Sequence, residues 1–200
     1  MQDSQDLKQS LVAAARMCYT RGIQTGNGGN LSARLPGMEQ MLIKASGISF
    51  AECSEDTLVV ADFDGNLIAG AGKPSRESLL HGALYRKLSR VQAIVHCHSP
   101  WAIGWASTSH PLPFATYHSE IKLKGEIRVF DSGSYAVPSS CFPEILGLFD
   151  SYPELMAFLL KGHGQVALGG NIREAVYTAE LVEETAQIAV LGRLLAKENV

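Results

Sequence analysis

The sequence predicts a single mixed α/β domain, with roughly six to eight strands and helices before, between and after them. Three observations carry that expectation. Apolar residues recur at helical spacing near both ends of the chain. Short apolar runs fill its middle, and clusters of Gly, Asn, Asp and Pro punctuate them. No repeat, low-complexity tract or linker divides residues 1–200, so one domain is expected.

The elements follow in order. Residues 4–21 read as a helix, with Leu7, Leu11, Ala14 and Ala15 on one side and Gly22 as its stop. "TGNGGNLSARL" gives a Gly/Asn turn and a short strand, and "QMLIKASG" a strand ending in a Ser-Gly turn. "DTLVVADFDGNLIAG" reads as a hairpin turning near Asp64-Gly65. In "KPSRESLLHGALYRKL" the period changes. Ser75 is expected to cap a helix whose apolar face is Leu79, Leu80, Ala83, Leu84 and Leu88. "VQAIVHCH" is a strand, and Ser99-Pro100 starts another helix. A loop over 110–118, a strand around "EIRVF" and a helix at "FPEILGLF" come next. "LMAFLLKGHGQVALGG" reads as two strands broken at Gly162-His163-Gly164. Asn171, with Glu174 as reciprocal cap, starts a long helix over 172–197.

Composition excludes several classes. Apolar residues make up 46% and charged residues 18%, as in an ordinary globular chain. A net charge of −3 argues against nucleic acid and against an anionic membrane as partners. Cys18, Cys53, Cys97 and Cys141 are far apart and form no CxxC pair, so a disulfide framework is not expected and reduced thiols are. The polar N-terminus lacks the apolar stretch of a signal peptide, and runs such as "LMAFLL" are too short to span a bilayer. A cytoplasmic location is expected.

The chemistry-bearing residues begin with "AIVHCHSP" (93–100), which holds two of the six histidines. Residues two apart on a strand share a face, so His96 and His98 sit about 7 Å apart at Cα while Cys97 points into the opposite, apolar face. They are either a ligand pair or two half-exposed histidines at a strand end. A catalytic zinc site needs a third protein ligand and an open position. His163 is the best candidate, between two glycines at a kink in an apolar stretch. His81, on a helix among leucines, reads as a partly buried, hydrogen-bonded residue, and His110 and His118 as loop residues facing solvent. Glu77 stands at a helix start. There it either answers the helix dipole or, beside a metal, serves as a general base. The turns "TGNGGNLS" and "ASG" can present backbone N–H groups to a phosphate. They match neither a P-loop nor a dinucleotide fingerprint.

Taken together, "GNGGNLS" (26–32), "ASG" (45–47), "KPSRE" (73–77), "HCH" (96–98) and "GHG" (162–164) stand in the order found in the class II aldolase family. The sequence resembles the zinc-dependent sugar-phosphate aldolases of the fuculose-phosphate type, to which the adducin head domain is a non-enzymatic relative. The resemblance implies a three-layer α/β/α domain with a central, mainly antiparallel sheet. It implies one Zn²⁺ per chain on His96, His98 and His163, although three imidazoles also suit other divalent transition metals. It makes Glu77 the acid/base and assigns substrate phosphate to Asn30, Ser46, Gly47 and Ser75. Tyr117, in "PFATY", resembles a tyrosine that protonates the leaving aldehyde oxygen in a neighbouring subunit's site, within a homotetramer. There are two departures. Arg76 stands where the aldolases commonly carry a second serine; its guanidinium either pairs with phosphate or points to solvent. The aldolases also carry a C-terminal tail with another active-site tyrosine, and this chain ends at Val200.

The implied activity is cleavage of a ketose 1-phosphate to dihydroxyacetone phosphate and an aldehyde through a zinc-stabilised enediolate. "KPSRESLLHGALYRKL" is also similar to the methylthioribulose-1-phosphate dehydratase branch, and "LLKGHG" to decarboxylase-like members. Dehydration of a sugar phosphate and decarboxylation of a sugar-acid phosphate are therefore alternatives on the same metal site. A non-catalytic adducin-like module is the remote one, since a scaffold has no physical need for three histidines and a glutamate.

Overall fold

A computed structural model describes residues 4–198 of the chain. One sheet of eight strands runs through the molecule: β1 (Asn30–Arg34), β2 (Gln40–Lys44), β3 (Leu58–Asp62), β4 (Leu67–Ala69), β5 (Ala93–Cys97), β6 (Val129–Phe130), β7 (Ala157–Leu160) and β8 (Gly164–Gly169). Their spatial order is β4-β3-β2-β1-β5-β8-β7-β6. Every pairing is antiparallel except β6 with β7. The helices are α1 (Ser4–Thr20), α2 (Ser78–Lys87), α3 (Pro100–Ala106), α4 (Tyr117–Leu123), α5 (Phe142–Ser151) and α6 (Ile172–Glu198).

Two apolar clusters lie on the two faces of the sheet. Met41, Ile43, Val59, Ile94, Val166 and Leu168 pack with residues of α2, α3 and α5. Leu31, Ala33, Leu42, Ala93, Val95, Cys97 and Ala167 pack with α1 and the first half of α6. This is the expected three-layer arrangement, and it follows from period two: adjacent residues of β5 feed opposite cores. None of the described helices is long and apolar enough to cross a membrane.

Local chemistry explains the ends of α6 and β8. Asn171 Oδ1 accepts from the Glu174 backbone N–H at 3.0 Å, and Glu174 reaches back to the Gly170 N–H at 2.9 Å and to Asn171 Nδ2 at 2.8 Å. At the other end of β8, Gly164 lies so close to the Cys97 carbonyl that no Cβ would fit.

Three local expectations are corrected. Ser75 does not cap α2. Glu77 holds the cap position, and Ser75 makes the preceding turn, accepting from the Ser78 backbone N–H at 3.1 Å. The buried face of α2 is also rotated: Leu80, His81, Leu84, Tyr85 and Leu88 face inward, while Leu79 is 44% exposed and Ala83 only half-buried. The helix turns this way because polar His81 and Tyr85 find partners on β1, which hydrophobicity alone does not register. The 110–118 loop is shorter than expected, since α4 begins at Tyr117. Thr116 and Ser119 cap it reciprocally, a signal that their spacing of three carries locally.

Candidate metal centre and substrate cleft

β5 and β8 together build the histidine cluster. His96 is on β5, His98 follows its end, and His163 sits in the β7–β8 turn between Gly162 and Gly164. One ligand atom from each of the three lies within 4.8 Å of the others. His96 Nε2 and His163 Nε2 are 3.3 Å apart. Nitrogens held about 2.0–2.1 Å from a tetrahedral ion sit roughly 3.3–3.4 Å from each other, so this spacing fits a shared cation.

The protonation pattern fits as well. His96 Nδ1 is 2.8 Å from the Gln165 carbonyl. A carbonyl only accepts, so Nδ1 carries the hydrogen and Nε2 keeps its lone pair towards the cluster. Burial pushes the pKa of His96 down to about 4. Burial and the neighbouring His96 do the same to His98 and His163, also to about 4. At neutral pH all three are bare imidazoles, the ligand form.

The glycine turn positions His98. Gly28 packs against its ring, where an added Cβ would lie 2.6 Å from His98 Nδ1. The buried Gln24 accepts from the His98 backbone N–H at 2.8 Å. A "GNGG" stretch thus has a local reason here: a side chain at Gly28 would press on a candidate ligand.

Glu77 is 5% exposed, yet its side chain makes no cap hydrogen bond to its own helix. It turns instead to the histidines. Oε2 accepts from Asn30 Nδ2 at 3.1 Å and lies 3.3 Å from His96 Nε2. Oε1 lies 3.8 Å from His163 Nδ1, and both of those atoms are buried with no hydrogen-bond partner among the described residues. Such a carboxylate is placed to exchange protons with a molecule bound on the histidines, or to add a fourth donor to them.

The cluster opens into a cleft of about 320 Å³. Asn30, Ser46, Gly47, Ser75 and Arg76 all line it, so the structure brings these expected site residues together with Glu77 and the histidines. Asn30 is nevertheless committed through its amide to Glu77. Tyr117 is not in this cleft; it begins α4 and is 87% exposed. His110 and His118 are exposed too.

Two lining residues escaped the sequence reading. Lys44, at the end of β2, is 1% exposed, and burial lowers its pKa to about 8. Its Nζ donates to the Ala45 carbonyl at 3.1 Å and to the Ile48 carbonyl at 2.5 Å, bracing the Ser46-Gly47 turn. Strand alternation marks it only as one more strand residue. Tyr135 stands at the mouth, where the Arg76 guanidinium lies 5.1 Å from its ring centroid. An exposed tyrosine in a Ser/Gly loop gives no local signal.

The sequence matches the Class II Aldolase and Adducin N-terminal domain family over residues 9–190. The chain belongs to the class II aldolase family. It is 35% identical over 188 residues to a 3-oxo-tetronate 4-phosphate decarboxylase of Haemophilus influenzae, spanning 90% of this chain and 85% of that one. It is 31% identical over 182 residues to a 5-deoxy-D-ribulose 1-phosphate aldolase of Bacillus thuringiensis serovar kurstaki, spanning 90% and 83%. A solved L-fuculose 1-phosphate aldolase superposes with a TM-score of 0.85 at 30% identity, spanning 97% of this chain and 89% of that one. As a class II aldolase-family member the protein is a lyase, and its histidine triad is a possible metal-binding group of the kind this metal-dependent family requires.

Proposed function

We propose that the protein is a zinc-dependent carbon–carbon lyase that cleaves a ketose 1-phosphate to dihydroxyacetone phosphate and an aldehyde. One observation carries the reading most directly. The Glu77 carboxylate is buried, held by Asn30, and set 3.3 Å from His96 Nε2 inside the three-histidine cluster. That juxtaposition suits proton transfer beside a cation better than it suits packing.

In this reading His96, His98 and His163 would hold the ion, which would supply Lewis acidity to a bound ketose. Glu77 delivers a proton to the carbon left with the electron pair when the bond opens, and removes it in the reverse direction. The Ser46-Gly47 turn, Ser75 and Arg76 bind the phosphate, and Asn30 steers Glu77 as well as facing the substrate. Lys44 adds a buried positive charge beneath that turn. A buried ammonium with no carboxylate partner among the described residues favours an anion nearby. Tyr117, exposed and outside its own cleft, takes the proton from the hydroxyl that becomes the aldehyde oxygen in a neighbouring subunit's site, and returns it in the reverse direction. The assembly is a homotetramer of single-domain subunits with sites at their interfaces, acting in the cytoplasm on small sugar phosphates.

Arg76 and the decarboxylase relative favour a second reading, decarboxylation of a sugar-acid phosphate. A guanidinium on an aromatic shelf suits a second anionic group. Dehydration is the third outcome on the same site. A panel of ketose 1-phosphates and keto-acid phosphates, scored for dihydroxyacetone phosphate, CO₂ and carbon balance, separates them. Dihydroxyacetone phosphate with an aldehyde supports the aldolase. Release of CO₂ overturns it in favour of the second reading, and a product that keeps every carbon overturns both.

A further inference from the structure

The helix stripe that begins at Glu77 continues through His81 and Tyr85, four residues apart each time. β1 presents Asn30, Ser32 and Arg34 to it, alternating with Leu31 and Ala33 of the opposite core. The two periods meet rung by rung. Asn30 Nδ2 donates to Glu77 at 3.1 Å. Ser32 Oγ lies 2.8 Å from His81 Nδ1 and 2.7 Å from the Tyr85 hydroxyl. Arg34 donates to the Tyr85 carbonyl. Ser32 and His81 are 0% exposed and Tyr85 1%. Between them, Gly82 presses on the Phe63 carbonyl so closely that no Cβ would fit, which limits how α2 can shift.

Burial fixes the protonation states of Tyr85 and His81. Burial keeps Tyr85 a phenol, its pKa raised. Burial, with His96 adding repulsion, keeps His81 neutral, its pKa pushed down to about 3. Ser32 has one hydrogen for two partners. With Tyr85 donating to Ser32 and Ser32 donating to His81 Nδ1, the imidazole hydrogen falls on Nε2. In either tautomer Nε2 is buried with no hydrogen-bond partner among the described residues. Leaving a buried polar group unsatisfied costs about 1–3 kcal/mol, so simple packing would be served better by an apolar side chain.

We infer that Ser32 and His81 are positioning residues for Glu77: their hydrogen bond fixes the rotation of α2 and so aims the carboxylate at the three histidines. Neither touches the histidine cluster's open side; both act through the helix. The inference rests on the reading of those histidines as a metal site. The cost of a lost supporting contact at such a site is roughly tenfold or more in metal affinity.

Co²⁺ serves as the probe, since it reports both affinity and ligand geometry through its visible absorption. It is titrated into the unmodified protein and into Ser32→Ala, His81→Leu, His81→Gln, Glu77→Gln and the Glu77→Gln/His81→Leu pair. Ser32→Ala and His81→Leu should weaken Co²⁺ about tenfold and shift its absorption in the direction that Glu77→Gln does. His81→Gln, which keeps a polar partner for Ser32, should restore most of the loss. The double variant should bind no more weakly than Glu77→Gln alone. Should His81→Leu fail to fold, Ser32→Ala and His81→Gln still decide the matter. Co²⁺ binding and absorption unchanged in Ser32→Ala and in whichever His81 variants fold, or additive losses in the double variant, overturn the inference. No Co²⁺ binding by the unmodified protein overturns the metal reading and this inference with it.

Discussion

His96 Nε2 and His163 Nε2 face each other at 3.3 Å, although 67 residues separate them in the chain. The first comes from a strand whose register is fixed by Asn30 on one side and Val166 on the other. The second comes from the turn between β7 and β8. The purified protein should carry about one divalent metal per chain. His163→Ala should lower metal affinity by more than roughly a hundredfold, beyond the range for supporting residues. Elemental analysis and a competition titration check both, and an unaltered affinity would remove His163 from the ligand set.

Glu77→Gln keeps the side-chain volume and removes the proton-accepting charge. At saturating metal this variant should still hold one ion per chain while turnover drops by about 10²–10⁴. Single-turnover assays on the substrate identified by the panel test this. Retention of full activity would show that Glu77 is not the acid/base.

Gly28→Ala isolates the role of the glycine turn. The added Cβ falls 2.6 Å from His98 Nδ1, and the imidazole is the mobile partner in that clash. Metal affinity should fall about tenfold while the urea midpoint of the metal-free protein moves little. An equal fall in both would mean that the turn, not His98, absorbs the strain.

Lys44 titrates from a pKa of about 8, so it is charged at neutral pH and loses its proton on passing to pH 9. Affinity for inorganic phosphate should weaken over that interval, beyond the change phosphate itself brings. Lys44→Met should weaken it at pH 7 by about 1.5–3 kcal/mol, the worth of a charge-assisted hydrogen bond, and leave only the pH dependence of phosphate itself. Calorimetric titration of both proteins at pH 7 and 9 distinguishes this from a purely bracing role, in which the two proteins show the same pH dependence.

His81 makes the stability pH-dependent with a definite sign. Its native pKa, about 3, lies below the ordinary 6.5. The unfolded chain therefore binds a proton between pH 6.5 and 3 that the native state refuses. The stabilisation is present in full above pH 6.5 and is lost as the pH falls, by up to about 1.4 kcal/mol per pH unit. Urea melts of the metal-free protein at pH 7 and 5 should show this loss, and His81→Gln should reduce it. Identical pH slopes in the two proteins would refute the assignment.

Period two in "AIVHCHSP" placed His96 and His98 beside one face of the sheet and Cys97 in the other core, where it packs with α1 and α6. The Gly, Asn and Pro punctuation located most elements, because those residues constrain the backbone locally. Hydrophobic spacing misled at α2, whose orientation is decided by Ser32 of β1 bonding His81 and Tyr85. The Thr116–Ser119 cap of α4 is local, and its spacing is legible in the sequence.

By itself, then, the sequence determined the succession of strands and helices, the shared face of His96 and His98, and the short-range turns around them. These depend on bonds and repeats within a few residues. Only the tertiary structure decided that Glu77 turns away from its helix towards His96, that Lys44 is a buried cation beneath the Ser46-Gly47 turn, and that Tyr135 lies against Arg76. Glu77 and Arg76 meet partners from other elements, and Lys44, whose carbonyl partners are local, is buried only by the tertiary packing around it; no local period encodes either outcome.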